Sequence, residues 1–309
     1  MQGGAGIRFM GNVSLKLFNK TLKNPVMNAS GTLGYGREIE PLWGVETLGC
    51  YVTKGLSLKP HHGNPLPRVW EERYGMINSI GLQNIGIERF FEKYFPFFRK
   101  KNTPVIVNFF GFTEEEYIRC AEQIKPDRQI VALEMNLSCP NIKKGGISFG
   151  KEADTVYEII RKVKAVTKIP VLAKLTPEVK SIVEIAVAAF DAGADGLTLI
   201  NTIPAAVVDV NKKTVPIKGG LSGPVIKPVA LRAVYECSRA VPIPVIGAGG
   251  ITNTDDAIAF FMAGARAIQI GTATFVDPYA IPKIIQGLKE YLDKHGCPGI
   301  QSITGIAHD

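Results

Sequence analysis

Cysteine and histidine are scarce in this chain, five and four among 309 residues. The cysteines, Cys50, Cys120, Cys139, Cys237 and Cys297, are odd in number and widely spaced, with no Cys-x-x-Cys pair. That pattern excludes a disulfide framework, a zinc site or an iron–sulfur cluster built by this chain alone. His61, His62, His295 and His308 lack the spacing of a helical metal motif, so no metal is expected. Long apolar runs are also missing, so no membrane association is expected. Residues 1–10 lack the basic start and apolar core of a signal peptide and read as a flexible tail. A reducing cytoplasm is the expected compartment. There is no zinc finger, RNA-binding motif or basic helix. The formal net charge of +8 comes from Lys and Arg spread along the chain, so no nucleic-acid partner is expected. A positive field of this kind still favours anionic ligands or an acidic protein partner.

What the chain has is glycine, 32 residues of it, and short β-branched runs alternating with helical patterns. Eight candidate strands stand out: Pro25–Gly31, Tyr51–Gly55, Pro104–Gly111, Val131–Cys139, Pro170–Thr176, Gly196–Asn201, Pro244–Gly250 and Ala267–Thr272. Most are apolar on both faces, as strands buried in a parallel sheet are. Amphipathic segments separate them: Ala153–Val166, Val179–Ala192, Pro224–Ala240 and Asp255–Ala263. Ala-Gly-Ala at 192–194 and 263–265 supplies a left-handed cap between helix and strand. The repeat predicts an eight-stranded parallel β/α barrel, one domain over residues 1–309. An open doubly wound sheet is disfavoured, because no Gly-x-Gly-x-x-Gly follows the first strand. Two longer gaps, 56–101 and 202–223, follow strands two and six and predict loops over the C-terminal mouth, where such barrels carry their sites.

Polar residues collect at those strand ends: Asn28 to Gly31, Thr53 to Gly55, Asn108, Asn136 to Asn141, Lys174, and Asn201-Thr202. Buried strands do not place Asn and Lys at their tips for packing, so a ligand site is expected. The last two strands end in Gly247-Ala-Gly-Gly250 and Gly271-Thr-Ala273, and Ser222-Gly223 precedes a helix. Free N–H groups there suit an anion, so the ligand should carry a phosphate.

Four of the cysteines are expected to be buried hydrophobes. Cys139 differs: it follows a strand tip, between Asn136 and Asn141, and precedes a Lys- and Gly-containing loop at 142–150. Nearby cations favour its thiolate, and no His follows closely, so a general base fits better than a Cys–His hydrolase. Asn78-Ser-Ile-Gly-Leu-Gln-Asn84, in the first insertion, reads either as an ordinary turn or as a polar loop over the mouth.

Together, Asn136-Leu-Ser-Cys-Pro-Asn141, Asn78 to Asn84, Ala29-Ser-Gly31, Thr53-Lys-Gly55 and Gly247-Ala-Gly-Gly250 resemble the class 1 dihydroorotate dehydrogenases, over nearly the whole chain. The resemblance implies one FMN across the barrel mouth, contacted by Ser30, Lys54, Gly55, Asn108, Asn136, Lys174, Ile200, Gly223, Gly249, Gly250, Gly271 and Thr272. It implies dihydroorotate held by Lys54, Asn78, Ser79, Ile80, Gly81, Leu82, Asn136, Asn201 and Thr202. Cys139 would take the C5 proton as hydride leaves C6. The loop after the cysteine, Ile142-Lys-Lys-Gly-Gly-Ile-Ser-Phe-Gly150, is similar to the NAD-dependent type. That type implies a homodimer core joined to an electron-transfer subunit that carries FAD and a [2Fe–2S] cluster, a heterotetramer. The competing readings are the fumarate-dependent homodimer, a dihydropyrimidine dehydrogenase-like subunit, and a phosphate-binding barrel without redox chemistry.

Overall fold

The computed structural model describes residues 12–138, 140–141 and 147–308. The expected tail at 1–10, Cys139 and most of the loop after it lie outside the described residues. Eight parallel strands make one sheet: β1 (Val26–Asn28), β2 (Tyr51–Val52), β3 (Val105–Phe109), β4 (Ile130–Asn136), β5 (Val171–Leu175), β6 (Gly196–Leu199), β7 (Val245–Ala248) and β8 (Ala267–Ile270). Each of the eight expected strands is present, somewhat shorter than the apolar run that announced it. Neighbours in the chain are neighbours in the sheet, and β8 pairs with β1. The β/α barrel closes at the seam between β1 and β2.

That seam carries one parallel bridge, Met27 to Cys50. The side chain of Asn28 reinforces it. Its amide donates to the Val52 carbonyl at 2.8 Å and its oxygen accepts from the Val52 N–H at 2.9 Å. A buried carboxamide thus copies a peptide group where the two strands are too short to pair fully. Thr53 performs a similar stitch between β2 and β3, accepting from the Asn108 N–H at 2.9 Å. Asn28 and the Thr53 hydroxyl, two of the polar strand ends, therefore hold the barrel together.

Helices cover the outside: α1 (Ile87–Lys93), α2 (Phe95–Lys101), α3 (Glu114–Gln123), α4 (Ala153–Val166), α5 (Ile182–Asp191), α6 (Lys227–Ala240), α7 (Thr254–Met262), α8 (Ala273–Val276) and α9 (Ala280–Lys294). The α4 boundaries coincide with the expected segment. Its buried residues Val156, Ile159, Ile160 and Val163 form the one-sided stripe that packs on the barrel. The run from Val179 starts its helix later, at Ile182, because the Ser181 hydroxyl caps it by accepting from Glu184 N–H. The run from Pro224 begins as a 3-10 turn (Pro224–Ile226) before α6. Gly193 and Gly264 adopt φ of 91° and 108°, the left-handed cap expected after α5 and α7.

The period of two along each strand sorts the side chains. Ala132, Leu172, Ile246 and Ala267 point into the lower barrel, where they meet Leu15, Leu17 and Leu22. These leucines belong to an antiparallel hairpin, Leu15–Leu17 with Lys20–Leu22, that plugs the N-terminal end. Leu133, Met135, Val171 and Ala173 point outward to the helices. The two long insertions converge. Val69–Glu72 and Gly75–Asn78 from the first pair with Thr214–Ser222 and Ile203–Asp209 from the second, as one four-stranded antiparallel sheet. Segments about 140 residues apart thus build one cover over the mouth, with Asn78 opposite Gly220.

Replacing Asn28 with Ala should lower the unfolding free energy by about 2–3 kcal/mol, because it orphans two buried backbone groups of Val52. Urea unfolding checks this. A midpoint like the wild type's would mean that the seam does not depend on the carboxamide.

Candidate active site

A cavity of about 850 Å³ opens at the C-terminal ends of the strands, beneath the four-stranded cover. Strand ends supply its floor. Ser30 follows β1 and donates to the Thr53 carbonyl at 2.8 Å. Lys54 and Gly55 follow β2, Asn136 ends β4, Lys174 lies in β5, and Ile200 to Thr202 follow β6. The cover supplies the opposite wall through Asn78 to Gln83, with Lys218 and Gly219. The cavity wall thus includes the Asn78–Leu82 segment, which the sequence alone left open between a turn and a lid. Asn78 is fixed by donating to the Gly220 carbonyl at 3.2 Å.

Part of the cavity wall is built of glycines. Gly223, Gly249, Gly250, Gly271 and Thr272 all reach it. Gly250 has a φ of 75°, and a Cβ there would stand 2.7 Å from the Lys227 backbone nitrogen, so only glycine fits. The N–H groups of Gly249, Gly250, Gly271 and Thr272 meet no other described backbone carbonyl. This is a cradle of unspent donors, the arrangement an oxyanion group needs. Asp256 secures it from behind. Its buried carboxylate ion-pairs with Lys227 and accepts from the Thr252 N–H at 2.9 Å and hydroxyl at 2.6 Å. Burial opposes ionisation of Asp256, but these bonds outweigh it and hold the carboxyl below the usual carboxylate range.

Elsewhere the wall is amide and cation. The Asn201 amide donates to Asn136 Oδ1 at 3.2 Å and to Ser138 Oγ at 2.8 Å. The Tyr117 hydroxyl braces Asn136 by donating to its carbonyl at 2.6 Å. Lys54 lies half buried, and no described carboxylate pairs with it. Burial lowers its pKa from the usual lysine range, and the nearby Arg68 guanidinium acts in the same direction. A desolvated ammonium without a described counter-ion is completed by an anionic ligand.

Beneath the floor lies Glu134, which the sequence reasoning passed over. It is fully buried in the barrel, on the same side of β4 as Ala132 and Asn136. It accepts from Asn108 Nδ2 at 2.6 Å, Thr198 Oγ1 at 2.7 Å and Gln269 Nε2 at 2.6 Å, and Lys174 Nζ stands 3.5 Å away. Its trace in the sequence is a lone charge inside the apolar run Ile130-Val-Ala-Leu-Glu-Met135. Asn108 accordingly sits one layer lower than the residues lining the cavity. Its Oδ1 is buried without a partner, directly below Gly55. Among the other cysteines, Cys50, Cys120 and Cys237 are buried, and burial pushes the thiols of Cys120 and Cys237 up to about 12. They are core residues. Cys139 lies outside the described residues, directly after Ser138 at the cavity wall.

A family model described as dihydroorotate dehydrogenase matches residues 12–292. The chain belongs to the dihydroorotate dehydrogenase family. Within this family it is similar to relatives named dihydroorotate dehydrogenase B (NAD(+)), catalytic subunit. The relative from Pelobacter propionicus is 48% identical over 297 residues, 95% of this chain and 98% of its own length. That from Desulforamulus reducens is 49% identical over 300 residues, 96% and 99% of the two chains. That from Caldicellulosiruptor saccharolyticus is 46% identical over 297 residues, 95% and 98%. The barrel with its mouth-side cavity is thus the fold of a dehydrogenase family, and no described helix is long and apolar enough to cross a membrane.

Replacing Asp256 with Asn should cost about 1–3 kcal/mol at pH 7, since it removes the charge that Lys227 and Thr252 face. The carboxyl's folded pKa is lowered, so its stabilisation is present above the unfolded value of about 3.9 and fades as pH falls through the lower folded value. The gap between wild type and variant in urea unfolding should therefore narrow below about pH 4. A gap of constant size from pH 7 down to pH 3 would contradict the assignment.

Proposed function

We propose that this chain oxidises (S)-dihydroorotate to orotate with a bound FMN, as the catalytic subunit of an NAD-dependent enzyme of pyrimidine biosynthesis. The observation that carries the reading is that one cavity holds both a donor-rich glycine cradle and an amide-and-cation wall. A phosphate-bearing planar cofactor needs the first, and a small carboxylate with a ureide ring needs the second.

In this reading Gly223, Gly249, Gly250, Gly271 and Thr272 would hold the FMN phosphate. Ser30, Lys54, Gly55, Asn136, Lys174 and Ile200 line the part of the cavity that would take the flavin ring, whereas Asn108, expected from the sequence to touch it, lies one layer below. When bound, FMN would supply the redox chemistry by taking up the hydride that leaves substrate C6. The Lys54 ammonium meets the substrate carboxylate. Asn78 to Leu82, Asn136, Asn201 and Thr202 hold the dihydropyrimidine ring, and the four-stranded cover excludes water. Cys139, next along the chain from Ser138, removes the C5 proton as a thiolate. Lys174, on the cavity wall, would stabilise negative charge on a reduced flavin. Electrons leave through a partner subunit. The relatives' name, catalytic subunit, favours such a partner over a fumarate-using homodimer. We assign FAD and the [2Fe–2S] cluster to that partner, and a homodimer of this chain to the core of a heterotetramer in the cytoplasm.

Anaerobic titration of the purified chain with dihydroorotate should bleach the flavin band. A flavin that stays oxidised with dihydroorotate but bleaches with dihydrouracil would move the substrate to the dihydropyrimidine class. Lys54→Met should raise the KM for dihydroorotate roughly 100-fold, the scale of losing a charge-assisted bond to a buried carboxylate. A KM within threefold of wild type would remove Lys54 from carboxylate binding. Cys139→Ala should keep FMN but nearly abolish flavin reduction by dihydroorotate in stopped flow; near-normal reduction would refute the base. The isolated chain should reduce NAD poorly, and robust turnover without a second subunit would sink the heteromeric reading.

A further inference from the structure

Glu134 has no part in the chemistry above, yet four described side chains converge on it. It receives hydrogen bonds from β3, β6 and β8 and stands beside Lys174 of β5. Each of its described polar partners is a donor: two carboxamide NH₂ groups, a hydroxyl and an ammonium. An ionised carboxylate accepts only, so it forces each carboxamide to turn its NH₂ inward and its oxygen away. For Asn108 that leaves Oδ1 without a partner, 3.0 Å from where a Cβ of Gly55 would stand, under the cavity floor. For Gln269, which lines the cavity, it leaves Oε1 to accept from Lys174 Nζ at 3.3 Å.

We infer that Glu134 is a positioning residue: as an acceptor-only hub it fixes which way Asn108 and Gln269 face and where the Lys174 ammonium stands, and so sets the polarity of the cavity floor that receives the flavin. The inference rests on the FMN reading of the cavity. It separates charge from shape in a way that packing alone would not. Glu134→Gln keeps the volume but brings an NH₂ group against donors, so one carboxamide must flip and present its NH₂ to the floor. Glu134→Asp loses a methylene but remains an acceptor. A shape-filling role ranks Gln above Asp; a polarity-setting role ranks Asp above Gln.

The experiment is a titration of apoprotein with FMN, followed by quenching of flavin fluorescence, beside thermal melting of each apoprotein. Glu134→Gln should weaken FMN binding at least tenfold, while Glu134→Asp retains more of the affinity than Gln does. Affinity within twofold of wild type for Glu134→Gln, or a weaker Asp than Gln, overturns the inference. A wild-type protein that does not bind FMN at all would instead overturn the cofactor reading, which keeps the two failures apart. Should neither variant fold, Thr198→Val decides. Its hydroxyl donates to Glu134 but lies off the cavity wall, and its loss should weaken FMN about threefold if the floor is set through Glu134. An unchanged affinity in that variant overturns the inference equally.

Discussion

Closing a parallel sheet on itself requires every strand to find two hydrogen-bonding neighbours, and the shortest strands must do so with the fewest peptide groups. Here β1 and β2 contribute three and two residues. Their seam survives because Asn28 lends a side-chain amide to the ladder. Much follows from that closure. With no free edge, the C-terminal strand ends form a ring, and residues far apart in the chain face one another across it. Lys174 of β5 reaches Gln269 of β8 because both point into one closed interior.

That interior is layered. The lower part is apolar and sealed by the Leu15–Leu22 hairpin. The middle is polar yet buried, centred on Glu134. The upper part opens to the cavity. A carboxylate in the middle layer is tolerable only because donors from several strands converge on it. The cavity above inherits a floor whose polar groups are fixed before any ligand arrives, the condition for electrostatic preorganisation. The cover adds the complementary wall, and its strands hold Asn78 by backbone pairing with the second insertion rather than by a mobile loop alone.

Much of this was legible in the chain. The eight strands, the α4 boundaries, the glycine caps and the two insertions follow from periodicity and turn chemistry, which are local. Polar residues at strand ends were visible as a group, and most of them line the cavity. Three features were not visible. Asn28 looked like a ligand residue and is a strand stitch, because its partner lies 24 residues away across a seam that only closure creates. Glu134 looked like an exception inside an apolar run, because its donors come from strands 26 to 135 residues distant. The two insertions looked like separate loops, because cross-strand pairing between them leaves no local trace.

The sequence by itself determined the barrel class, the order of its strands and the residue types available at its mouth, since hydrophobic period, helix caps and turn glycines act over a few residues. Only the tertiary structure decided which polar residues face the ligand, which face each other and which repair the backbone. Those roles depend on the direction of each side chain and on partners brought near by closure, and hydrogen bonds of a few ångströms cannot be read from separations of tens of residues.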